Sequence, residues 1–136
     1  MVLLALIGIA ITSYKPNGNY TGTVNYTHFT FNGINYTFTS VAKTPPEWYR
    51  GLMNTTVTNT TFELFEFQQV SVYPFWMKNT YNALDIIWIN GNTVVYMVDA
   101  KPCLSYDPNQ TDCAVYNEYV PADYVIEAKP PVPSFR

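Results

Sequence analysis

The sequence predicts a mainly β fold: a small antiparallel barrel-like or sandwich-like domain with one short helix and a detached apolar N-terminal strand. A hairpin pattern indicates the strands, because residues 24–31 and 34–41 alternate on either side of an Asn-Gly turn. A second apolar run, residues 84–89, is typical of a strand that is buried on both faces. A helix start at residues 44–47 is followed closely by Gly51, a natural stop, so the helix is expected to be short.

The chain has 136 residues, which indicates one domain with a modest core. We divide it into an apolar segment at 1–13, a turn-rich linker at 14–22 and a single β domain at 23–136. Charged residues make up only 12% of the chain and the formal net charge is -3. This composition suits an acidic or hot exterior, as expected of an extracellular, archaeal-type protein. It offers no basic patch, so nucleic acid is not an expected partner.

The apolar N-terminal segment has three competing interpretations. As a helix, residues 2–12 would span about 17 Å, which is too short for the hydrocarbon core of a bilayer. The segment has the length of a signal-peptide core but lacks a basic region before it. As a strand it would reach about 36 Å, and it must then enter its own domain, a membrane or a neighbouring molecule. The residues expected to mediate assembly are Val2, Leu3, Leu4, Leu6, Ile7, Ile9 and Ile11.

The hairpin has a predicted register, because Asn32-Gly33 favours a two-residue turn. Phe31 then faces Ile34 and Phe29 faces Tyr36, which gives one aromatic, core-directed face. The other face carries His28 among hydroxyl and amide side chains. With no carboxylate or cysteine near it in the pattern, His28 is interpreted as a surface residue and not as a catalytic one.

A polar set lies in the most apolar part of the domain, on the short helix and around the run 84–89. Such groups are costly to bury unless they bond to each other or to the backbone. Arg50 is expected to cap a carbonyl or to pair with Asp85 or Glu47; the alternative is a ligand clamp. The residues of this possible ligand or structural cluster are Arg50, Trp76, Lys78, Asn79 and Asp85.

Two cysteines, Cys103 and Cys113, are expected to form a disulfide, as is usual in an exported protein. Such a bond would close a loop of roughly ten residues and stabilise the fold by about 2–3 kcal/mol. The competing interpretation is a metal pair, but two cysteines without a nearby histidine fall short of a zinc site. No metal site and no cofactor are therefore expected.

Asn-x-Thr sequons recur along the chain more often than its Asn- and Thr-rich composition explains. They favour an exported, N-glycosylated protein, so N-linked glycans are expected partners. The acceptor residues are Asn19, Asn25, Asn35, Asn54, Asn59 and Asn109.

Several blocks of the sequence resemble one known family, the domain of unknown function 192 family, in order and spacing over residues 40–128. The resemblance implies a small, mostly β, barrel-like fold with a short helix, and it implies no activity, cofactor or catalytic residue. The blocks are RGLM at 50–53, FELFEF at 62–67, FWMKNT at 75–80, LDIIWI at 84–89, VV at 94–95 and YVIE at 124–127.

The chain departs from this family pattern at both ends. A proline-rich tail stands where the family has a Gly-containing helix and a closing strand, so the domain is expected to be one strand short. The apolar segment is a spare strand on a linker. Together they suggest donor-strand exchange, in which residues 2–12 of one copy fill the groove of the next and build a filament head to tail.

The sequence therefore favours a non-enzymatic, glycosylated extracellular subunit that polymerises with copies of itself. One alternative is a membrane-anchored extracytoplasmic domain, or a small subunit of a membrane complex, held through the N-terminal segment. Another is a small-molecule or sugar-binding module. No nucleophile motif, metal-ligand cluster or phosphate loop points to an enzyme.

Overall fold

A computed structural model describes residues 13–14, 22–24, 27–31, 33–103 and 105–132 of the chain. The described part contains a single α-helix, α1 (Pro45–Arg50). Its strands, in chain order, are β1 (Ser13–Tyr14), β2 (Gly22–Val24), β3 (His28–Phe31), β4 (Ile34–Thr37), β5 (Ser40–Ala42), β6 (Phe62–Ser71), β7 (Phe75–Trp76), β8 (Leu84–Asn90), β9 (Thr93–Ala100), β10 (Val115–Tyr116) and β11 (Ala122–Ala128).

The largest layer is a six-stranded sheet in the order β1-β9-β8-β11-β6-β5. All neighbours are antiparallel except β5 and β6, which run parallel. β8 lies between β9 and β11, and all its residues but the last are buried. The prediction of a central strand at 84–89 is therefore confirmed, and its apolar run is explained by the cover on both faces.

The hairpin of β3 and β4 covers one face of this sheet together with β2. Phe31 pairs with Ile34 and Phe29 with Tyr36, as the Asn-Gly turn predicts, and Gly33 takes the positive φ of 75° that this turn needs. The Phe29 and Tyr36 rings stack with centroids 4.9 Å apart. These aromatic side chains pack with Ile87 of β8, so the hairpin's apolar face closes one half of the core.

The opposite face of the sheet forms a second apolar cluster. Trp88 is fully buried there, and its indole N–H donates to the Tyr73 carbonyl oxygen at 2.8 Å. The Phe75 ring stands edge-on to both Trp88 and Phe65. A sheet covered on both faces is sandwich-like, and the described strands form three separate sheets and no closed barrel. Of the two architectures that the sequence left open, the structure selects the sandwich.

The described strands differ from expectation in the hairpin, in β6 and at β1. The predicted strand 24–31 is divided between β2 and β3, and the predicted strand 34–41 is divided between β4 and β5. The sequence suggests a short turn after residue 67, yet β6 continues from Phe62 to Ser71. β11 pairs with residues 62–66 and with Ser71, and a register shift lies opposite the stretch between them. β1 pairs with β9 at the edge of the large sheet, with Ser13 opposite Val98. The stretch 14–22 predicted as a linker thus touches strands at both ends, whereas residues 2–12 lie outside the described residues.

The predicted disulfide between Cys103 and Cys113 is present and is confirmed. It closes the long connection between β9 and β10, and Cys113 packs with Met53, Trp76 and Val115 in a third small cluster. The disulfide loop is thereby attached to the two-stranded sheet of β7 and β10.

Candidate functional site

A cavity of 310 Å³ opens between α1, β5 and the start of β6. Residues from these three elements and from the loop after α1 line it, so its shape depends on how the helix is held against the sheet. The lining residues are Ser40, Val41, Ala42, Glu47, Arg50, Gly51, Leu52, Thr55 and Glu63.

Trp48 holds α1 in place. Its indole N–H lies 3.1 Å from both the Ala42 and the Glu66 carbonyl oxygens, which gives a shared hydrogen bond to β5 and β6. The ring packs on Phe67 with centroids 4.9 Å apart. The helix ends at Gly51, whose φ of 47° turns the chain so that Leu52 enters the core. Arg50, the last helical residue, is left exposed at the mouth of the cavity.

Glu63 forms the floor of the cavity, and Glu127 lies beside it on the neighbouring strand. Glu63 of β6 lies directly opposite Glu127 of β11, and Ser40 of β5 flanks Glu63 on its other side. Glu63 is 7% exposed and Glu127 is 1% exposed. Oε2 of Glu63 has no hydrogen-bond partner among the described residues. Burial, followed by the charge of Glu127, raises the pKa of Glu63 to about 7, and Arg50 and the Ser40 hydroxyl offset part of that rise.

Glu47 behaves differently although it lines the same cavity. It is exposed, and its Oε2 accepts a hydrogen bond from the Lys43 backbone N–H at 2.7 Å, which lowers its pKa. The Thr44 side chain makes no capping hydrogen bond, so only the Glu47 half of the predicted capping box forms, with its bond to Lys43, one residue before the N-cap. One cavity therefore contains a carboxyl group that ionises readily and another that resists ionisation near neutral pH.

The structure separates the polar residues that the sequence grouped together. Trp76, Lys78 and Asn79 lie beside the disulfide loop, with the Lys78 ammonium 5.1 Å from the Trp76 ring centroid. Asn79 exchanges two hydrogen bonds with Gln110, at 3.0 Å through its backbone N–H and 2.6 Å through its Oδ1. These contacts attach the residues before β8 to the disulfide loop.

Asp85 lies on the other face of the sheet from Glu63, because side chains alternate along paired strands. It is fully buried, and its Oδ2 accepts a hydrogen bond from the Val132 backbone N–H at 2.8 Å. Arg50 is at the cavity mouth on the opposite side, so the structure does not bring Arg50 and Asp85 together.

The sequon asparagines fall into two groups. Asn19 and Asn25 lie outside the described residues. The other acceptors are exposed: Asn35 on β4, and Asn54, Asn59 and Asn109 in turns or loops. Asn54 accepts a hydrogen bond from the Tyr81 hydroxyl at 3.2 Å.

Sequence reasoning missed Glu63, Glu127 and Ser40 as site residues. The alternation of residues along the strand could have identified Glu63. Glu63 is two and four positions before Phe65 and Phe67, so its side chain is on the same face of the strand as these aromatic side chains, which point into the core. A carboxylate in phase with buried aromatics indicates a buried polar group. What the sequence could not supply was the pairing of β6 with β11, which places Glu63 and Glu127 side by side.

No group of three or more His, Cys, Asp or Glu side chains that could hold a metal occurs in the described ranges. Within the same ranges, no helix is long and apolar enough to cross a bilayer.

Two solved structures share this fold. A protein of unknown function from Novosphingobium aromaticivorans superposes with a TM-score of 0.58 at 23% identity, over 82% of this chain and 71% of that one. A Sinorhizobium meliloti protein, provisionally described as a transcription regulator, gives a TM-score of 0.58 at 22% identity, over 89% and 83% of the two chains. No curated protein matches the sequence significantly.

The family model described as "Uncharacterized ACR" matches residues 28–131, which is most of the chain and includes α1, the cavity and the central strand. The resemblance seen in the sequence blocks is thereby confirmed. The chain belongs to the DUF192 family.

Proposed function

We propose that the chain is an exported, N-glycosylated surface subunit of archaeal type, and that it joins to copies of itself by donor-strand exchange of its apolar N-terminal segment. The observation that carries this proposal is the outer edge of β9. This strand has eight residues and pairs with β8 along its inner side. On its outer side, within the described residues, it pairs only with Ser13 and Tyr14.

An open strand edge is a template for pairing with another strand. A pairing of two residues contributes few hydrogen bonds, so a longer apolar strand from a second copy would displace it. Residues 2–12 have the length and the apolar character for that role. Because such contacts run head to tail and do not close on themselves, the product is a filament.

The disulfide and the sequons support export. A disulfide is stable in an oxidising compartment. The described sequon asparagines are all exposed on separate parts of the surface, where an oligosaccharide meets no core residue. Low charge supports a surface that faces an acidic or hot medium.

The test is electron microscopy of the full chain beside a chain lacking residues 2–12. The full chain should form filaments without detergent, and the shortened chain should stay monomeric with an unchanged circular dichroism spectrum. A double substitution Leu6→Asp/Ile9→Asp should also prevent assembly, whereas Tyr106→Asp should not, because Tyr106 is a fully exposed residue of the disulfide loop.

Liposome flotation distinguishes the filament proposal from the alternative, in which the N-terminal segment is a membrane anchor. If the full chain remains monomeric in solution and floats with liposomes only when residues 2–12 are present, the segment is a membrane anchor and the filament proposal is wrong. Polymerisation by the shortened chain would also contradict it.

A further inference from the structure

The cavity beneath α1 contains an acidic and a basic side chain whose hydrogen-bonding capacity is not filled by the described residues. Glu63 is 7% exposed, lines the cavity and has an oxygen without a hydrogen-bond partner. Arg50 lines the same cavity at its mouth, and its guanidinium group makes no hydrogen bond or ion pair within the described part of the chain. A hydrogen-bond acceptor, the Glu63 carboxylate, and a hydrogen-bond donor, the Arg50 guanidinium, therefore both line the cavity.

A buried carboxylate oxygen without a partner is costly, so an occupant that donates to it would be stabilised there. An ionised carboxyl group only accepts, and a guanidinium group only donates. A ligand that satisfies both must therefore carry a donor at one end and an anion at the other.

The volume and the lining of the cavity restrict the class of ligand further. A volume of 310 Å³ lies at the lower end of the range for small-molecule sites. Leu52 and Ala42 offer aliphatic surface between the polar ends. A bare divalent cation fits poorly, because it needs more oxygen ligands than the carboxyl groups of this floor supply.

We infer that this cavity binds a small zwitterion of the amino acid type, with its ammonium group on Glu63 and Ser40 and its carboxylate on Arg50. Glu127 lies beside Glu63 on the neighbouring strand and adds a second acidic side chain next to the cavity floor. Glu47 at the rim is anionic as well, which favours an ammonium group over a second anion inside. This inference does not depend on whether the chain polymerises.

The experiment is calorimetric titration of the full chain with glycine, β-alanine and γ-aminobutyrate, which space the two charges progressively further apart. Propylamine and propionate, each carrying one of the two charges, are the comparison ligands. At least one zwitterion should bind ten-fold or more tightly than both single-charge ligands. No binding by any zwitterion, or equal binding by propylamine, would overturn the inference.

Variants locate the binding to this cavity. Glu63→Gln and Arg50→Gln should each weaken binding of the best zwitterion at least ten-fold. The controls Glu118→Gln and Lys101→Gln remove the same charges elsewhere and should leave binding unchanged. Because Arg50 is exposed, its variant should keep the fold even if Glu63→Gln does not. Unchanged binding by Arg50→Gln would contradict the assignment.

The pH dependence of zwitterion binding is a further test, because it would not change if Glu63 had only a structural role. The groups that face Glu63 are Glu127 from β11, Ser40 from β5, and Arg50 and Glu47 from α1. Since the pKa of Glu63 is about 7, zwitterion binding should strengthen from pH 5.5 to about pH 8, while the ligand's own ammonium and carboxylate stay charged. Binding that does not change over this range would overturn the role of Glu63.

Discussion

At the scale of single residues, the buried carboxyl of Glu63 links protonation to stability. Its pKa rises from 4.5 to about 7 on folding, so the folded state holds the proton more tightly than the unfolded state. Between those pKa values the folded state binds more protons, and stability therefore falls as the pH rises. The full effect is about 3 kcal/mol, present below pH 4.5 and lost above pH 7.

We therefore expect Glu63→Gln to be more stable than the unmodified chain at pH 8. The stability of the unmodified chain should fall between pH 5 and pH 7, whereas the stability of Glu63→Gln should change much less over this range. Urea unfolding at a series of pH values measures this directly. Glu66→Gln, on the same strand but outside the cavity, is the matched control. The account of Glu63 fails if its variant keeps the full pH slope.

Asp85 illustrates a different kind of buried carboxyl group, one whose oxygen is used. Its Oδ2 accepts the Val132 backbone N–H, which attaches the residues after β11 to the central strand. Asp85→Ala should cost about 1–3 kcal/mol of unfolding free energy, because it leaves that N–H buried without an acceptor.

Asp85→Asn keeps an oxygen in place and should cost less than Asp85→Ala in the same urea titration. Asp112→Ala, which removes an exposed carboxylate from the disulfide loop, should change stability little. Equal costs for the alanine and asparagine variants would argue against the hydrogen bond as the cause.

At the scale of elements, α1 has only six residues and cannot be stable by itself. Its attachment depends on the Trp48 indole, which donates to carbonyl oxygens of β5 and β6. Trp48→Phe keeps an aromatic ring beside Phe67 but removes the donor, at a cost of about 1 kcal/mol. Amide hydrogen exchange in α1 should accelerate, with little change in β8 or β11.

Tyr49→Phe is the control for that experiment, because Tyr49 is the next residue of the same helix and is 48% exposed. It should leave exchange in α1 unchanged. If Trp48→Phe also leaves exchange unchanged, the indole hydrogen bonds do not hold the helix.

Elements were predictable where the local pattern was strong. The hairpin register follows from the Asn-Gly turn, and the central strand follows from an apolar run bounded by polar residues. β6 was interrupted too early in the prediction, because Gln68 and Gln69 read as a turn. These residues lie opposite the register shift between Ala122 and Tyr124 of β11, and the pairing resumes at Ser71. Whether a strand continues through such an irregularity depends on non-local pairing, which a single sequence does not contain.

The candidate site was harder to predict for the same reason. Arg50 was identified from its own chemistry. Glu63 and Glu127 lie 64 positions apart in the sequence, and only the order β11-β6 brings them together. Asp85 looked like a partner for Arg50 until strand alternation placed it on the far face of the sheet.

At the scale of the whole molecule, the disulfide restrains a long connection that has little regular structure. Cys103 and Cys113 are ten positions apart, and the loop between them holds Gln110 against Asn79. The double variant Cys103→Ser/Cys113→Ser should lose about 2–3 kcal/mol of unfolding free energy, because the unfolded chain gains freedom. Thermal unfolding with and without reductant measures this.

Reductant should lower the melting temperature of the unmodified chain to that of the double variant and should not affect the variant itself. A chain whose melting temperature is the same in both conditions would contradict a stabilising role for the bond.

The proposed assembly is tested most directly by filament length in mixtures of the full chain with the chain lacking residues 2–12. A copy without the segment can accept a donor strand at β9 but cannot supply one, so it should end a filament at one pole. The account predicts that mean length, measured by electron microscopy, falls steadily as the shortened copies increase. Filaments of unchanged length, or shortened copies distributed along the whole filament, would contradict donor-strand exchange.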